Sequence, residues 1–222
     1  MAAITKTLSP GLYAITDSLL TPPDNLIASV EAALRGGAVL VQYREKRAAL
    51  AERIKQARDL QAVCRNAGVP LLINDDIELA QRVGASGVHI GQTDSSLAAA
   101  RRLLGDEAII GVTCHGDLAL AASAHKSGAD YLAFGRFFGS ATKPEAPVAD
   151  PAVLTEAMHF NLPVTAIGGI TLDNGGSLIR AGADMLAVIG GLFTGTPDVI
   201  EKQAKRFTLL FEQHHPLFSL SR

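Results

Sequence analysis

AVLVQYREK, residues 38–46, runs from four apolar residues straight into a polar, charged end. Five further hydrophobic runs close in the same way: INDD (73–76), GQTD (91–94), GVTCH (111–115), GSATK (139–143) and AIGGI (166–170). A seventh ends AVIGG (187–191), with glycines and no charge. Packing alone does not put polar residues at one end of strand after strand. In a parallel α/β barrel those ends gather on one face, where active sites of that fold are built. The pattern predicts an α/β protein, a single (β/α)8 barrel with one pooled site.

The rest of the chain supports that reading. Strand candidates are GLYAITD (11–17), AVLVQYR (38–44), PLLIND (70–75), GVHIG (87–91), AIIGVTC (108–114), YLAFGRFF (131–138), PVTAIGG (163–169) and MLAVIGG (185–191). Between them lie helical patterns rich in Ala, Leu, Arg and Glu that close near glycine. Alternating strands and helices indicate a parallel sheet. A weak repeat, Gly-Ala at 37–38, 84–85, 128–129 and 182–183, precedes strands two, four, six and eight. Glycine there predicts left-handed helix caps. The twofold period favours a barrel, with an open doubly wound sheet as the alternative. Residues 1–10 form an N-terminal extension, 11–211 the barrel, and 212–222 a poorly ordered tail in which His214 and His215 are solvated. The linker 139–150 is expected to be a mobile loop over the site.

Composition narrows the function classes. The chain has 222 residues, 48% hydrophobic and 19% charged, with net charge −2. That balance lacks the basic field of a nucleic-acid binder. No apolar stretch has the length of a membrane span, and the N-terminus lacks the apolar core of a secretory signal. A cytoplasmic enzyme acting on small molecules is expected; a homo-oligomer is left open. Cys64 and Cys114 match no metal-ligand spacing and read as reduced structural thiols.

Gln42, Arg44 and Lys46 share one face of strand two, alternating with Tyr43 and Glu45. Two cations and an amide converging on a barrel mouth suit an anionic ligand better than a solvated strand end. Asp75 and Asp94 close strands three and four, near enough to share a cation, and aspartates with water and phosphate oxygens suit Mg²⁺. The plainer reading makes each a helix N-cap, a role expected of Asp76. Ser140, Thr142 and Lys143 lie on the loop after strand six, where hydroxyls and an ammonium suit phosphate capture. Gly168-Gly169 and Gly190-Gly191 follow strands seven and eight, where barrels often bind phosphate through backbone N–H groups. No Ser-His-Asp or Cys-His-Asp set and no dinucleotide fingerprint is evident. Two anion sites and a divalent cation without a general base fit loss of a diphosphate.

On LYAITD, QYREK, LLINDD, GVHIGQTD, IIGVTCH, FGRFF, TKP, AIGGIT and DMLAVIGGLF, the chain resembles the thiamine phosphate synthase family from about residue 12 to 211. The resemblance implies condensation of hydroxymethylpyrimidine diphosphate with thiazole phosphate to give thiamine phosphate and diphosphate. Carried over, Gln42, Tyr43, Arg44, Glu45, Lys46, Asn74 and Lys143 hold the pyrimidine diphosphate, and Asp75 and Asp94 bind Mg²⁺. Thr113 stands near the pyrimidine ring. Ser140, Ala141 and Thr142 contact the thiazole phosphate, with Gly169 and the Ile189-Gly190 backbone. Arg44, Lys46 and Lys143 carry the catalytic charge in a dissociative mechanism.

Three positions depart from the family. Threonine is common at Ser140, serine at Gly190 and proline at Gly139. The rival readings are a related thiazole tautomerase, with His115 as its proton-transfer group, and a non-catalytic sensor of a phosphate ligand.

Overall fold

The computed structural model of the chain describes residues 8–92, 96–139 and 147–219. Eight parallel strands close in sequence order: β1 (Gly11–Ile15), β2 (Leu40–Tyr43), β3 (Leu71–Asn74), β4 (Gly87–Ile90), β5 (Ile109–His115), β6 (Tyr131–Phe134), β7 (Val164–Ile167) and β8 (Met185–Val188). The ring is closed by β1 on β8, with Gly11 opposite Met185 and Ala14 opposite Val188. Closure, which periodicity left open, is thereby answered. Most strands are shorter than their sequence runs, while β5 keeps seven residues and carries Thr113 and His115 within the sheet.

Helices cover the outside: α1 (Pro23–Arg35), α2 (Leu50–Asn66), α3 (Ile77–Val83), α4 (Leu97–Leu104), α5 (Leu118–Lys126), α6 (Ala152–Ala157), α7 (Leu172–Arg180), α8 (Pro197–His214) and α9 (Pro216–Ser219). Among the described residues, none is long and apolar enough to cross a membrane. The Gly-Ala repeat has one structural meaning. Gly37, Gly84, Gly128 and Gly182 all adopt positive φ, between 65° and 115°. The alanine after each donates its N–H to the carbonyl five residues back, as in Ala85 to Ala80 and Ala183 to Leu178, both at 3.0 Å. This helix-ending turn reverses the chain into the next strand.

Strand alternation divides the apolar residues into two cores. Tyr13, Ile15, Leu40, Leu72, Ile109, Tyr131, Ala133, Met185 and Ala187 fill the barrel interior. Leu12, Ala14, Val41, Tyr43, Leu71 and Ile73 point outward and pack with Leu60, Leu79, Leu178 and Phe207 of the helices. Gly111 on β5 leaves space for a large interior side chain, since a Cβ there would stand 1.9 Å from Cζ of Tyr131.

The expected C-terminal tail is corrected. α8 continues through His214, and His215 is buried against the barrel. Its Nε2 lies 3.2 Å from Oδ1 of Asp184, whose Oδ2 accepts the Val164 N–H at 2.8 Å. A partner supplied by the β7–β8 connection is what removes His215 from solvent. The loop expected over the site falls largely on residues 140–146, outside the described residues.

Candidate active site

At the C-terminal ends of the strands the barrel opens into a cavity of about 680 Å³. It is lined by Gln42, Arg44, Lys46, Asn74, Asp75, Thr113, Gly169, Ile189 and Gly190, so these predicted residues share one space. Asp94, Ser140, Ala141, Thr142 and Lys143 lie outside the described residues. Gly91, Gln92 and Gly139, close to those segments in the chain, line the cavity.

Tyr43 and Glu45 do not line this cavity; Glu45 instead borders the adjoining cleft with Lys46, Asn74 and Asp75. Tyr43 lies in the layer under the helices, and its hydroxyl donates to Oε1 of Gln56 at 2.7 Å. Glu45 braces its own loop, accepting from Ser18 Oγ at 2.8 Å and from the Arg47 and Ala48 N–H groups at 2.6 and 3.1 Å. Partial burial opposes its ionisation, but those donors hold its carboxyl below the ordinary range. Its role is to shape the turn carrying Lys46.

The cationic arc is ordered by carboxylates. Arg44 Nη1 lies 3.1 Å from Asp17 Oδ2, and Lys46 Nζ lies 3.6 Å from Asp75 Oδ2. Asn74 Nδ2 also donates to Asp75 Oδ2. Asp76 caps α3 by accepting the Leu79 N–H at 2.8 Å, which leaves Asp75 to face the cavity. Asp75 and His115 hold φ of 63° and 52° at the cavity lip, ending β3 and β5. Non-glycine residues in this left-handed region store backbone strain, which clusters at functional sites.

The opposite arc is made of backbone. β7 lies four strands from β3 in the ring, and its end carries Gly168 and Gly169 at φ 101° and 67°. A Cβ on Gly169 would stand 2.3 Å from the Gly139 carbonyl oxygen, so only glycine fits. Such close-packed turns let backbone N–H groups meet an anion.

Sequence reasoning missed part of this space. Asp17 and Arg136 line it, and so does Thr165, a buried residue whose Oγ1 has no hydrogen-bond partner among the described residues. Below them Tyr13, Tyr131 and His89 form a buried polar chain between Gln42 and Thr113. Asp17 had a signal, since it ends the run GLYAITD as Asp75 ends PLLIND. The tyrosines had none, because an interior aromatic residue reads as core. Cys114 is buried in the helix-facing layer, and burial pushes its thiol and that of Cys64 up to about 12, so both are inert structural thiols.

Fold and cavity together define a (β/α)8-barrel enzyme with its charged site at the C-terminal mouth. Residues 12–192 match the family model described as thiamine monophosphate synthase. The chain belongs to that family, and with it to the transferases. It is similar to the thiamine-phosphate synthase of Marinobacter nauticus, with 63% identity over the full length of both chains. It is 52% identical to that of Alcanivorax borkumensis, over 91% of this chain and 94% of the relative. The solved thiamine phosphate pyrophosphorylase of Pyrococcus furiosus superposes with a TM-score of 0.82 at 30% identity, covering 96% of this chain and 98% of that one.

Proposed function

We propose that the chain condenses 4-amino-2-methyl-5-hydroxymethylpyrimidine diphosphate with 4-methyl-5-(2-phosphooxyethyl)thiazole, giving thiamine phosphate and diphosphate. One observation carries the reading: Arg44, Lys46 and Asp75 converge on one arc of the mouth while glycine turns occupy another. The first arc has the charge for a diphosphate, and the second has the backbone donors for a smaller phosphate.

The bond between the pyrimidine methylene and the diphosphate oxygen breaks, with its electron pair leaving on the diphosphate. The ring-stabilised methylene cation is captured by the thiazole nitrogen lone pair, which forms the new C–N bond. Arg44, Lys46 and Lys143 stabilise the departing charge. Gln42, Asn74 and Thr113 orient the pyrimidine. Ser140 to Thr142, Gly169 and the Ile189-Gly190 backbone hold the thiazole phosphate. The apolar walls supplied by Ile15, Ala133 and Ile167 limit water around the cation. No side chain needs to take a proton in the bond-making step.

The donor set suits Mg²⁺, a hard cation that takes one or two carboxylates together with phosphate oxygens and waters. Asp75 supplies one carboxylate at the cavity lip, and Asp94 would supply the second. Bound there, the ion would contribute positive charge toward the leaving diphosphate. The test is formation of thiamine phosphate from the two substrates, with and without Mg²⁺. Product in the presence of Mg²⁺ and loss of activity with a chelator is expected; no coupling under either condition would overturn the reading.

A further inference from the structure

The floor of the cavity is crossed by five side chains from five strands. Gln42 Nε2 donates to the Tyr13 hydroxyl, which lies 2.9 Å from the Tyr131 hydroxyl. Tyr131 Oη lies 2.8 Å from His89 Nδ1, and His89 Nε2 lies 2.9 Å from Thr113 Oγ1. Tyr13 and Tyr131 are fully buried, with exposures of 1% and 0%, so each hydroxyl proton must find a protein acceptor.

Counting protons orders the whole chain. Tyr13 already accepts from Gln42, so its own proton goes to Tyr131. The Tyr131 proton then goes to His89 Nδ1. An imidazole with Nδ1 as acceptor must carry its proton on Nε2, where it points at Thr113 Oγ1. The Thr113 hydroxyl is left with its proton to donate into the cavity. At the other end, Gln42 has turned its amide N–H inward, which leaves the amide oxygen as its acceptor. Gln42 and Thr113 both line the cavity. The two open ends are thus opposite in kind: one accepts, one donates.

We propose that Tyr13, Tyr131 and His89 are positioning residues that polarise this chain, so that Thr113 and Gln42 select a ring offering an unprotonated nitrogen and an amino group. The inference rests on the pyrimidine diphosphate reading of the cavity and adds how that ring is told from its deaminated, oxo counterpart. The oxo ring would bring an N–H where Thr113 donates and a carbonyl where Gln42 accepts. Leaving buried polar groups unpaired is what makes such a site discriminate strongly.

Two measurements test it separately from the coupling activity. Long-range ¹⁵N–¹H spectra of histidine-labelled protein without substrate read the tautomer directly. His89 is recognised by the loss of its signals in His89→Gln. Should that variant not fold, it is recognised in the parent by contacts to the Tyr131 ring, which stacks at 5.6 Å. His89 is expected as the neutral form protonated on Nε2; a proton on Nδ1 would mean a reversed chain and overturn the proposal. In kinetics, the parent should prefer the aminopyrimidine diphosphate over its 4-oxo analogue. Tyr131→Phe should reduce that preference roughly tenfold, as expected for a lost buried hydrogen bond, with the KM for thiazole phosphate unchanged. A parent that uses both rings equally, or a Tyr131→Phe variant that keeps the full preference, would also overturn it. A parent with no coupling activity but an Nε2-protonated His89 would sink the substrate reading and leave the polarised chain standing.

Discussion

Arg44 Nη1 and Asp17 Oδ2 lie 3.1 Å apart across the ends of β2 and β1, with side chains only 15% and 18% exposed. Asp17 also accepts the Leu19 N–H at 3.0 Å, so the loop after β1 and the Arg44 guanidinium are held by one carboxylate. Asp17→Asn keeps the loop contact and removes the charge. Because hydrogen bonds to charged groups contribute roughly 1.5–3 kcal/mol, the KM for pyrimidine diphosphate should rise about tenfold or more. Steady-state kinetics on each substrate check this; an equal penalty on thiazole phosphate would remove Arg44 from the diphosphate arc.

Asp75→Asn and Asp94→Asn should each lower turnover by about 10²–10³-fold, the usual loss when electrostatic stabilisation of developing charge is removed. Asp75 stands at the cavity lip with Lys46 3.6 Å away. Mg²⁺ titrations of the coupling rate should show a higher metal requirement in both variants. Unchanged turnover at limiting Mg²⁺ would exclude the substituted residue as a ligand.

Gly190 and Gly169 should respond oppositely to a side chain. At Gly190 a Cβ meets, among the described residues, only Leu20 Cδ1, at 3.8 Å, so Gly190→Ser should fold and couple normally. At Gly169 the φ of 67° and the Gly139 oxygen at 2.3 Å leave no room. Gly169→Ala should lose about 1–2 kcal/mol from the left-handed backbone alone and raise the KM for thiazole phosphate. Urea unfolding and the two Michaelis constants measure both effects. A benign Gly169→Ala would show that this turn yields.

His115→Ala should keep coupling activity within about tenfold of the parent. His115 lines the cavity, yet the bond-making step asks no side chain for a proton. Were His115 a general acid or base, its loss would cost roughly 10²–10⁴-fold. Coupling rates of His115→Ala and Asp94→Asn at one Mg²⁺ concentration rank the two; collapse of the histidine variant alone would favour the tautomerase reading.

His215→Ala should destabilise the fold by about 1–3 kcal/mol without changing either Michaelis constant, since a buried histidine–carboxylate contact is lost far from the cavity. Asp184, its partner at 3.2 Å, joins β8 to the Val164 N–H of β7. Denaturant midpoints read the loss. An unshifted midpoint would mean that α9 and the end of α8 add nothing to the barrel.

The barrel and much of its mouth were legible because the signals are local. Period-two alternation put Gln42, Arg44 and Lys46 on one face, and the same alternation set Tyr43 on the other. The Gly-Ala pairs after α1, α3, α5 and α7 announced turns that the structure makes at positive φ. The closure of β1 on β8, the pairing of Asp17 with Arg44, the burial of His215 on Asp184 and the Tyr13–Tyr131 contact belong to tertiary structure. Tyr13 and Tyr131 are 118 positions apart, and a tyrosine in an apolar strand has the same local pattern whether or not its hydroxyl finds a partner. Burial inside the ring is what obliges each hydroxyl to find one, and that obligation exists only after the strands have closed.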